Sequence, residues 1–312
     1  MISAAKGALG RLPAISPWIW ALLILLFLLY QAHEKRLDER LYYWVATSLQ
    51  EGHQPLSALA QSAYRVQIEA KPVDGIGNNL SGLTYDDQRD QLWAVLNNPE
   101  TLLAMSKDGD VLARYPLAGF QDVEGITYLG DDLLLLAEER RQALVIVSLP
   151  ESPGQLTRQN YPSLTLSLGD GGNQGFEGVG YDREADRLFV VKEHSPRSLY
   201  EVRGLKSSLN GGSFALEIID HSEWIERNVF ATDLSSVHYD EKSGHLALLS
   251  DESGLLIELS DSGELIGFQS LRAGFGGLRK EIPQAEGVTL DDQGDLYLVS
   301  EPNLFYRFER TP

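Results

Sequence analysis

The 312-residue chain contains no cysteine, and this absence excludes several kinds of chemistry. Disulfides, zinc–cysteine sites, iron–sulfur clusters and thiol nucleophiles all require that residue. Basic residues are also scarce: 26 Lys and Arg stand against 45 Asp and Glu, which gives a formal net charge of −19. Binding to nucleic acid needs clustered Lys and Arg, so we expect no nucleic-acid partner. An acidic chain of this kind is suited to binding cations.

Familiar catalytic motifs are missing as well. The sequence has no G-x-S-x-G, no H-E-x-x-H and no P-loop. Asp233, Ser235 and His238 lie on and before one predicted strand, where alternation places them on different faces, so they do not indicate a serine triad. The glycine-rich run at 169–175 precedes a strand rather than a helix and predicts a loop over the domain. We therefore expect no recognisable catalytic residues.

Long hydrophobic runs are limited to one, near the N-terminus. Residues 12–30 just reach the length that spans a bilayer as a helix, and residues 18–30 within them carry no charge and no polar break. Trp18, Trp20 and Tyr30 stand where interfacial aromatic residues would. A cleaved signal peptide is the alternative, but the bulky residues before Ala32 do not suit a cleavage site. We interpret residues 1–32 as an uncleaved membrane anchor.

The charges that flank this run do not decide its orientation. Lys6 and Arg11 precede it, and Lys35, Arg36 and Arg40 follow it. Short N-terminal anchors usually act as export signals. We therefore expect a single-pass protein of the bacterial inner membrane with a periplasmic C-terminal domain.

Residues 33–63 form a second zone with helical periodicity. Apolar residues recur at helical spacing: Leu37, Leu41, Trp44, Val45 and Leu49. This pattern predicts a short amphipathic linker helix that leads away from the membrane. A helix that binds a partner or a second copy is the alternative.

From residue 64 onward, short apolar runs alternate with turn residues, and five segments align as repeats. Each has an apolar residue, then Glu or Ser, then a small residue and a strand, followed by a turn, a second strand and an acid or amide. The repeats begin at 80, 123, 176, 234 and 285. A repeat of about 43 to 58 residues fits a four-stranded propeller blade. We predict an all-β, five-bladed β-propeller over 64–312.

The fifth repeat is short, because the chain ends soon after residues 304–308. Residues 64–70 alternate as a strand but belong to no other repeat. We expect this strand to complete the last blade and so close the ring.

The polar positions of the repeat should converge at one mouth of the propeller channel, since the first strand of each blade lines that channel. The Glu or Ser at the start of each first strand forms one group: Ser81, Glu124, Glu177, Ser235 and Glu286. The acids or amides at the ends of the second strands form an adjacent group: Asn97, Glu138, Glu139, Glu193, Asp251, Glu252 and Glu301, with His194 beside it. We nominate the nine carboxylates as metal ligands, and Ser81, Asn97, Ser235 and His194 as polar residues of the channel.

Several glutamates around one narrow channel repel each other and would either retain protons or bind a cation. Calcium accepts six to eight oxygen ligands with flexible geometry, and this set of ligands is rich in oxygen. We predict a calcium site. A water-filled acidic channel, or a small ligand with a cationic group, is the alternative.

Several stretches are similar to the SdiA-regulated domain family, the YjiK-like proteins, over roughly residues 66 to 310. The matching segments are 79–84, 175–178, 284–288 and 299–308. The resemblance implies a five-bladed propeller, distantly akin to NHL-repeat propellers, behind an N-terminal membrane segment, with a calcium site. The family name records regulation by a quorum-sensing transcription factor and not an activity.

Two functions remain open. The first is a calcium-binding interaction module that presents the propeller face to a protein, a peptide or a small-molecule ligand outside the cytoplasm. The alternative is a calcium-dependent hydrolase, of the lactonase or phosphoesterase type, that uses the channel carboxylates. The Glu193–His194 pair favours the second, because a histidine near a metal can move protons.

Overall fold

A computed structural model describes most of the chain, from residue 16 to residue 311. The described residues are 16–49, 59, 64–166, 175–194, 196–209, 213–274 and 276–311. Much of the linker zone, at 50–58 and 60–63, and most of the glycine-rich loop, at 169–174, lie outside them.

The predicted five-bladed propeller is confirmed, because the strands form five separate sheets, each with four antiparallel strands, and one of these sheets has a short fifth strand. Blade 1 contains β2 (Leu80–Asp86), β3 (Gln91–Asn97), β4 (Glu100–Met105) and β5 (Val111–Ala118), with the short strand β9 (Leu156–Thr157) parallel to β5. Blade 2 contains β6 (Val123–Gly130), β7 (Leu133–Glu138), β8 (Ala143–Ser148) and β10 (Ser163–Thr165). Blade 3 contains β11 (Phe176–Asp182), β12 (Arg187–Lys192), β13 (Ser198–Arg203) and β14 (Glu217–Asp220). Blade 4 contains β15 (Ser236–Asp240), β16 (His245–Ser250), β17 (Leu255–Leu259) and β18 (Leu265–Ser270).

Blade 5 is built from both ends of the propeller sequence. Its strands are β19 (Ala285–Leu290), β20 (Leu296–Ser300), β21 (Leu304–Arg310) and β1 (Tyr64–Pro72). Strand β1 runs antiparallel to β21, with Val66 opposite Phe308. This pairing covers the free edge of β21 and ties the start of the domain to its end.

The hydrophobic core consists of five clusters, one in each gap between neighbouring sheets. Leu80 of blade 1 packs with Tyr297 of blade 5, for example, which closes the ring. Trp93 is buried between blades 1 and 2, and its indole donates a hydrogen bond to Asp86 at 3.1 Å. The innermost strands β2, β6, β11, β15 and β19 each contact the next around the ring. They line the central channel.

Helix α1 (Pro17–Glu34) is the one helix of the described chain that is long and apolar enough to cross a membrane. Its side chains lie outside the protein core, and a signal sequence would have the same length and composition. Arg36, in left-handed backbone conformation (φ 50°), separates it from helix α2 (Leu37–Leu49). Two short helices, α3 (Leu205–Leu209) and α4 (Ser222–Asn228), belong to blade 3.

Helix α2 packs against blade 4 instead of extending from the propeller as a stalk. Tyr43 is fully buried in the core, its ring lies 5.2 Å from that of Phe268, and its hydroxyl accepts a hydrogen bond from the backbone N–H of Phe230 at 2.7 Å. Glu39, on the same face, is 3% exposed. The residues that dock the helix are therefore not those of its apolar stripe.

Candidate functional site

The acidic position of the repeat is a β-bulge in three of the five blades. The register of β6 against β7 shifts between Val123 and Gly125, so Glu124 is the extra residue. The register also shifts around Glu177 and Glu286 in their strands. A bulge re-aims a side chain relative to the pleat, and here it directs the glutamates into the channel mouth.

The small residue after each acid is required by the narrowness of the channel. A Cβ atom on Gly125 would overlap the backbone carbonyl oxygen of Glu177 in the next blade. A Cβ on Gly82 would lie 2.6 Å from the carbonyl oxygen of Glu124. The innermost strands therefore approach so closely that no side chain fits between them, and the neighbouring acids are drawn together.

The glutamates and aspartates that meet at this end of the channel are here called the acidic mouth. Its members are Asp122, Glu124, Glu139, Glu177, Glu193, Asp251, Glu286 and Glu301. Within it, Asp122, Glu124 and Glu139 each offer a ligand atom, and these atoms lie within 4.8 Å of one another. Three oxygen donors at this spacing match the separation of ligands around one bound cation.

The hydrogen bonds of this trio leave acceptor oxygens to spare. Glu124 accepts from the Ser81 hydroxyl and from the Asn97 amide, both at 2.7 Å. Glu139 accepts from the backbone N–H of Gly175 at 3.3 Å. The side-chain oxygen of Asn97 is buried and accepts no hydrogen bond.

Asp122 also keeps one buried oxygen that accepts no hydrogen bond. The Nε atom of Arg140 comes within 2.6 Å of Oδ2 and forms an ion pair, but not with hydrogen-bond geometry. The buried oxygen of Asn97 is the acceptor that a hard cation would satisfy, whereas Arg140 already supplies positive charge to Asp122. The residues present therefore fit a divalent cation with oxygen ligands.

Burial and repulsion between neighbours raise the pKa values of the glutamates and of Asp251 in the acidic mouth. For Glu177 and Glu286, burial holds the pKa well above its ordinary range, and neighbouring carboxylates add to the effect. Burial also raises the pKa of Glu139 to about 7 and that of Asp251 to about 6. Among the described residues, no Lys or Arg lowers the pKa of either Glu177 or Glu286, since the causes of both shifts are burial and neighbouring acids.

Three further glutamates show the same trend. Burial raises the pKa of Glu124, although hydrogen bonds from Ser81 and Asn97 oppose this. Burial also raises the pKa of Glu193 and that of Glu301. The acidic mouth thus holds carboxyl groups that resist ionisation unless positive charge is supplied.

Glu138 was nominated as a ligand, but it lies away from the acidic mouth. It is fully buried and pairs with Arg141 at 2.9 Å and with Arg158 at 2.7 Å. It also accepts a hydrogen bond from the backbone of Gln121. Two arginines already neutralise it, so it is a structural residue of blade 2.

Glu252 and His194 stand on the rim of the acidic mouth. The Glu252 side chain is 46% exposed and approaches Arg36 at 3.7 Å and His194 at 4.0 Å. The His194 imidazole lies 3.6 Å from Glu193. Ser235 is committed elsewhere, since its hydroxyl donates to the carbonyl oxygen of Ala285 at 2.7 Å.

Sequence reasoning missed Asp122, although a signal for it existed. Four of the five repeats have a polar residue two positions before the marked Glu or Ser: Asn79, Asp122, Asp233 and Gln284. Asp122 adopts a left-handed conformation (φ 53°), which turns the chain into β6 beside Glu124. A polar residue at this position does not by itself indicate a metal ligand. Asp233 occupies the same position in blade 4, but it is fully buried and accepts hydrogen bonds from Ser250 and from the backbone of Asp251.

The other end of the channel contains a cavity of about 110 Å³ and is electrostatically different. Thr84 and Thr289 accept hydrogen bonds from backbone N–H groups of the neighbouring strands. Arg183 pairs with Asp87 and Glu241, both at 2.7 Å. Because Arg183 already supplies positive charge to two of the acids there, the acidic mouth is the better candidate for binding a cation.

Solved structures of similar fold include enzymes and a matrix protein complex. A gluconolactonase from Xanthomonas campestris is 12% identical, with 83% of this chain and 94% of that chain covered and a TM-score of 0.51. A virginiamycin B lyase from Staphylococcus aureus is 10% identical, with 78% and 74% covered and a TM-score of 0.42. A chain of a nidogen–laminin complex is 11% identical, with 72% and 73% covered and a TM-score of 0.45. At these identities the similarity concerns the fold.

The propeller matches one protein family over nearly its whole length. The family model of the SdiA-regulated proteins matches residues 56–309, which includes all five blades and the acidic mouth. The chain belongs to the SdiA-regulated family.

Proposed function

We propose that this protein is a membrane-anchored, calcium-binding propeller that serves as an interaction module outside the cytoplasm. The observation that carries the proposal is the trio Asp122, Glu124 and Glu139, whose ligand atoms lie within 4.8 Å of one another. Calcium would be held by these carboxylates, with the side-chain oxygen of Asn97 as a further ligand. Supplying positive charge there relieves the repulsion that raises the pKa values around it.

Calcium suits this ligand set better than zinc or copper. The nearby donors are carboxylates and one amide oxygen, and the imidazole of His194 stands on the rim with Glu193 and Glu252. Zinc sites usually use Cys or His nitrogen, and the chain has no cysteine. A large, flexible set of oxygen ligands is what calcium accepts.

An interaction role fits the same residues better than a nucleophilic mechanism. The hydroxyls of Ser81 and Ser235 are both occupied as hydrogen-bond donors, to Glu124 and to a backbone carbonyl. Neither contacts a histidine that could act as its base. The calcium site therefore holds the carboxylates of the acidic mouth in place. It also binds an acidic or oxygen-rich group of a protein, peptide or small-molecule ligand.

Localisation follows from helix α1 acting as an uncleaved anchor. Its apolar side chains lie outside the protein core. This arrangement supports a single-pass protein of the bacterial inner membrane with the propeller in the periplasm.

The test is a calcium titration of the full-length protein in detergent micelles, by calorimetry and thermal unfolding after removal of metal with a chelator. We expect saturable binding that raises the melting temperature, and loss of this binding in Glu124→Gln. Glu264→Gln is a matched control, because its carboxylate lies in a solvent-exposed turn of blade 4. No heat and no shift at millimolar calcium would refute the metal site.

A calcium-dependent hydrolase is the second candidate, and the position of His194 at the rim of the acidic mouth favours it. The His194 imidazole lies 3.6 Å from Glu193, and a histidine near a bound metal can move protons. Turnover of lactones or phosphoesters with calcium, abolished in Glu177→Gln and reduced in His194→Ala, would support this role. Absence of turnover across both substrate classes would leave the interaction module.

A further inference from the structure

Helix α2 has an apolar face that is turned away from the propeller. Leu37, Leu41 and Val45 are 45%, 59% and 40% exposed, and Leu49 is 82% exposed. Residues four apart lie above one another on a helix, so these side chains form one continuous stripe. Trp44, 63% exposed, stands beside it.

The opposite face of the same helix is fastened to blade 4. Tyr43 is fully buried there, and Glu39 is 3% exposed. Because the helix is held by this face, it cannot rotate to bury its stripe against the propeller. A contiguous stripe of apolar side chains that is exposed to solvent indicates an interaction surface.

We infer that this stripe lies in the boundary layer of the lipid bilayer and holds the propeller against the membrane surface. The inference rests on the proposed role of α1 as an anchor. Only Lys35 and Arg36 separate the end of α1 at Glu34 from the start of α2 at Leu37. The stripe therefore begins where the chain leaves the hydrocarbon region.

The turn between the two helices permits this arrangement. Arg36 has φ 50°, which ends the first helix and redirects the chain. A 13-residue helix is about 20 Å long, so a helix standing upright would carry its leucines out into water. A helix lying flat buries its apolar face about 5–10 Å into the boundary between headgroups and acyl chains.

The junction is polar and carries exposed charges of both signs, as a zwitterionic headgroup layer does. Lys35 is exposed between Glu34 and Asp38, whereas Arg40 turns into the protein, where two of its guanidinium nitrogens are buried. Lys and Arg near a membrane surface interact favourably with lipid phosphates. Arg36 also approaches Glu252 at 3.7 Å, so the rim of the acidic mouth lies beside the point where the chain leaves the membrane.

The absence of natural cysteine allows a clean test with single labels in the full-length protein. Leu41→Cys and Leu112→Cys are matched, because the two leucines are 59% and 58% exposed and Leu112 lies on blade 1. Each variant is labelled with an environment-sensitive fluorophore and placed in nanodiscs that hold one copy. Quenching is measured with lipids that carry a nitroxide near the headgroup, and Leu25→Cys reports on α1 itself.

We expect the label at position 41 to emit at shorter wavelength than that at 112 and to be quenched several-fold more strongly by the shallow nitroxide. If position 25 is in lipid but position 41 behaves like 112, the inference is wrong while the anchor stands. If position 25 is itself in water, the anchor fails. If position 41 is protected only in discs with two copies, the stripe is a dimer contact and the membrane inference is overturned.

Discussion

Replacing Glu139 by Gln should stabilise the calcium-free protein near neutral pH. Glu139 is 3% exposed, and burial, reinforced by Glu124 and Asp122, raises its pKa from 4.5 to about 7. Since one pKa unit corresponds to about 1.4 kcal/mol, ionising this carboxyl in the folded state costs up to about 3 kcal/mol. Water at the open mouth screens part of this cost. We therefore expect Glu139→Gln to raise the free energy of unfolding by about 1–2 kcal/mol.

The dependence on pH gives this prediction a defined sign. The folded-state pKa of Glu139 lies above its unfolded value, so its contribution to stability is present below about pH 4.5 and is lost as the pH rises through about 7. The advantage of Glu139→Gln over the wild type should thus be absent at the acidic end and reach its full size above pH 7.

Calcium should reverse the order of the two proteins. A ligand present at 100 times its dissociation constant stabilises the folded state by about 2.7 kcal/mol. The wild type should gain this amount, whereas Glu139→Gln, with one ligand weakened, should gain less. The assay is thermal unfolding of the full-length protein in detergent with chelator and with calcium, where 1 kcal/mol corresponds to about 2–4 °C.

The neighbouring residue supplies a matched control. Glu138 is held by Arg141 and Arg158, so Glu138→Gln should lower the free energy of unfolding by about 1–3 kcal/mol. That loss should be the same with and without calcium. The reasoning is refuted if Glu139→Gln destabilises the calcium-free protein as Glu138→Gln does, or if calcium stabilises the two variants equally.

Three further predictions concern the channel, helix α2 and the coupling of calcium to protons. Gly125→Ala should lower the free energy of unfolding by about 1–3 kcal/mol, as measured by urea unfolding, because the added Cβ overlaps a backbone carbonyl. Gly77→Ala is the control and should change urea unfolding little, because no heavy atom lies within 4 Å of its added Cβ. Tyr43→Phe should lower the free energy of unfolding by about 1 kcal/mol, since the backbone N–H of Phe230 loses its acceptor, and hydrogen exchange at that amide should become faster. Calcium binding near pH 6 should release protons, because carboxyls such as Asp251, whose pKa is raised to about 6, ionise when calcium binds. The binding enthalpy measured by calorimetry should then differ between buffers of different ionisation enthalpy. This difference should disappear above about pH 8.

Much of the fold could be predicted because its signals are local. The repeat of an apolar residue, an acid and a small residue recurs from 80 to 285, and this recurrence alone predicts five blades. The need for Gly125 and its counterparts follows from the close approach of neighbouring strands, so the same motif also marked the end of the channel where the acids meet.

The choice between Glu138 and Glu139 depended on contacts that the repeat does not contain. The two residues are adjacent at the end of β7, and only one can face the channel. Arg158, twenty residues farther along, donates a hydrogen bond to Glu138, so Glu139 is the residue that lies in the acidic mouth. Asp122 joined the site because the left-handed turn before β6 brings it next to Glu124.

Helix α2 shows the same division between pattern and packing. The sequence by itself predicted a short amphipathic helix within residues 33–63, because its apolar residues recur at helical spacing; the structure forms this helix at Leu37–Leu49. Only the tertiary structure decided which face docks, since Phe230 and Phe268 of distant segments receive Tyr43 on the other side. Local periodicity determines what each element can bury, whereas long-range partners determine what it does bury.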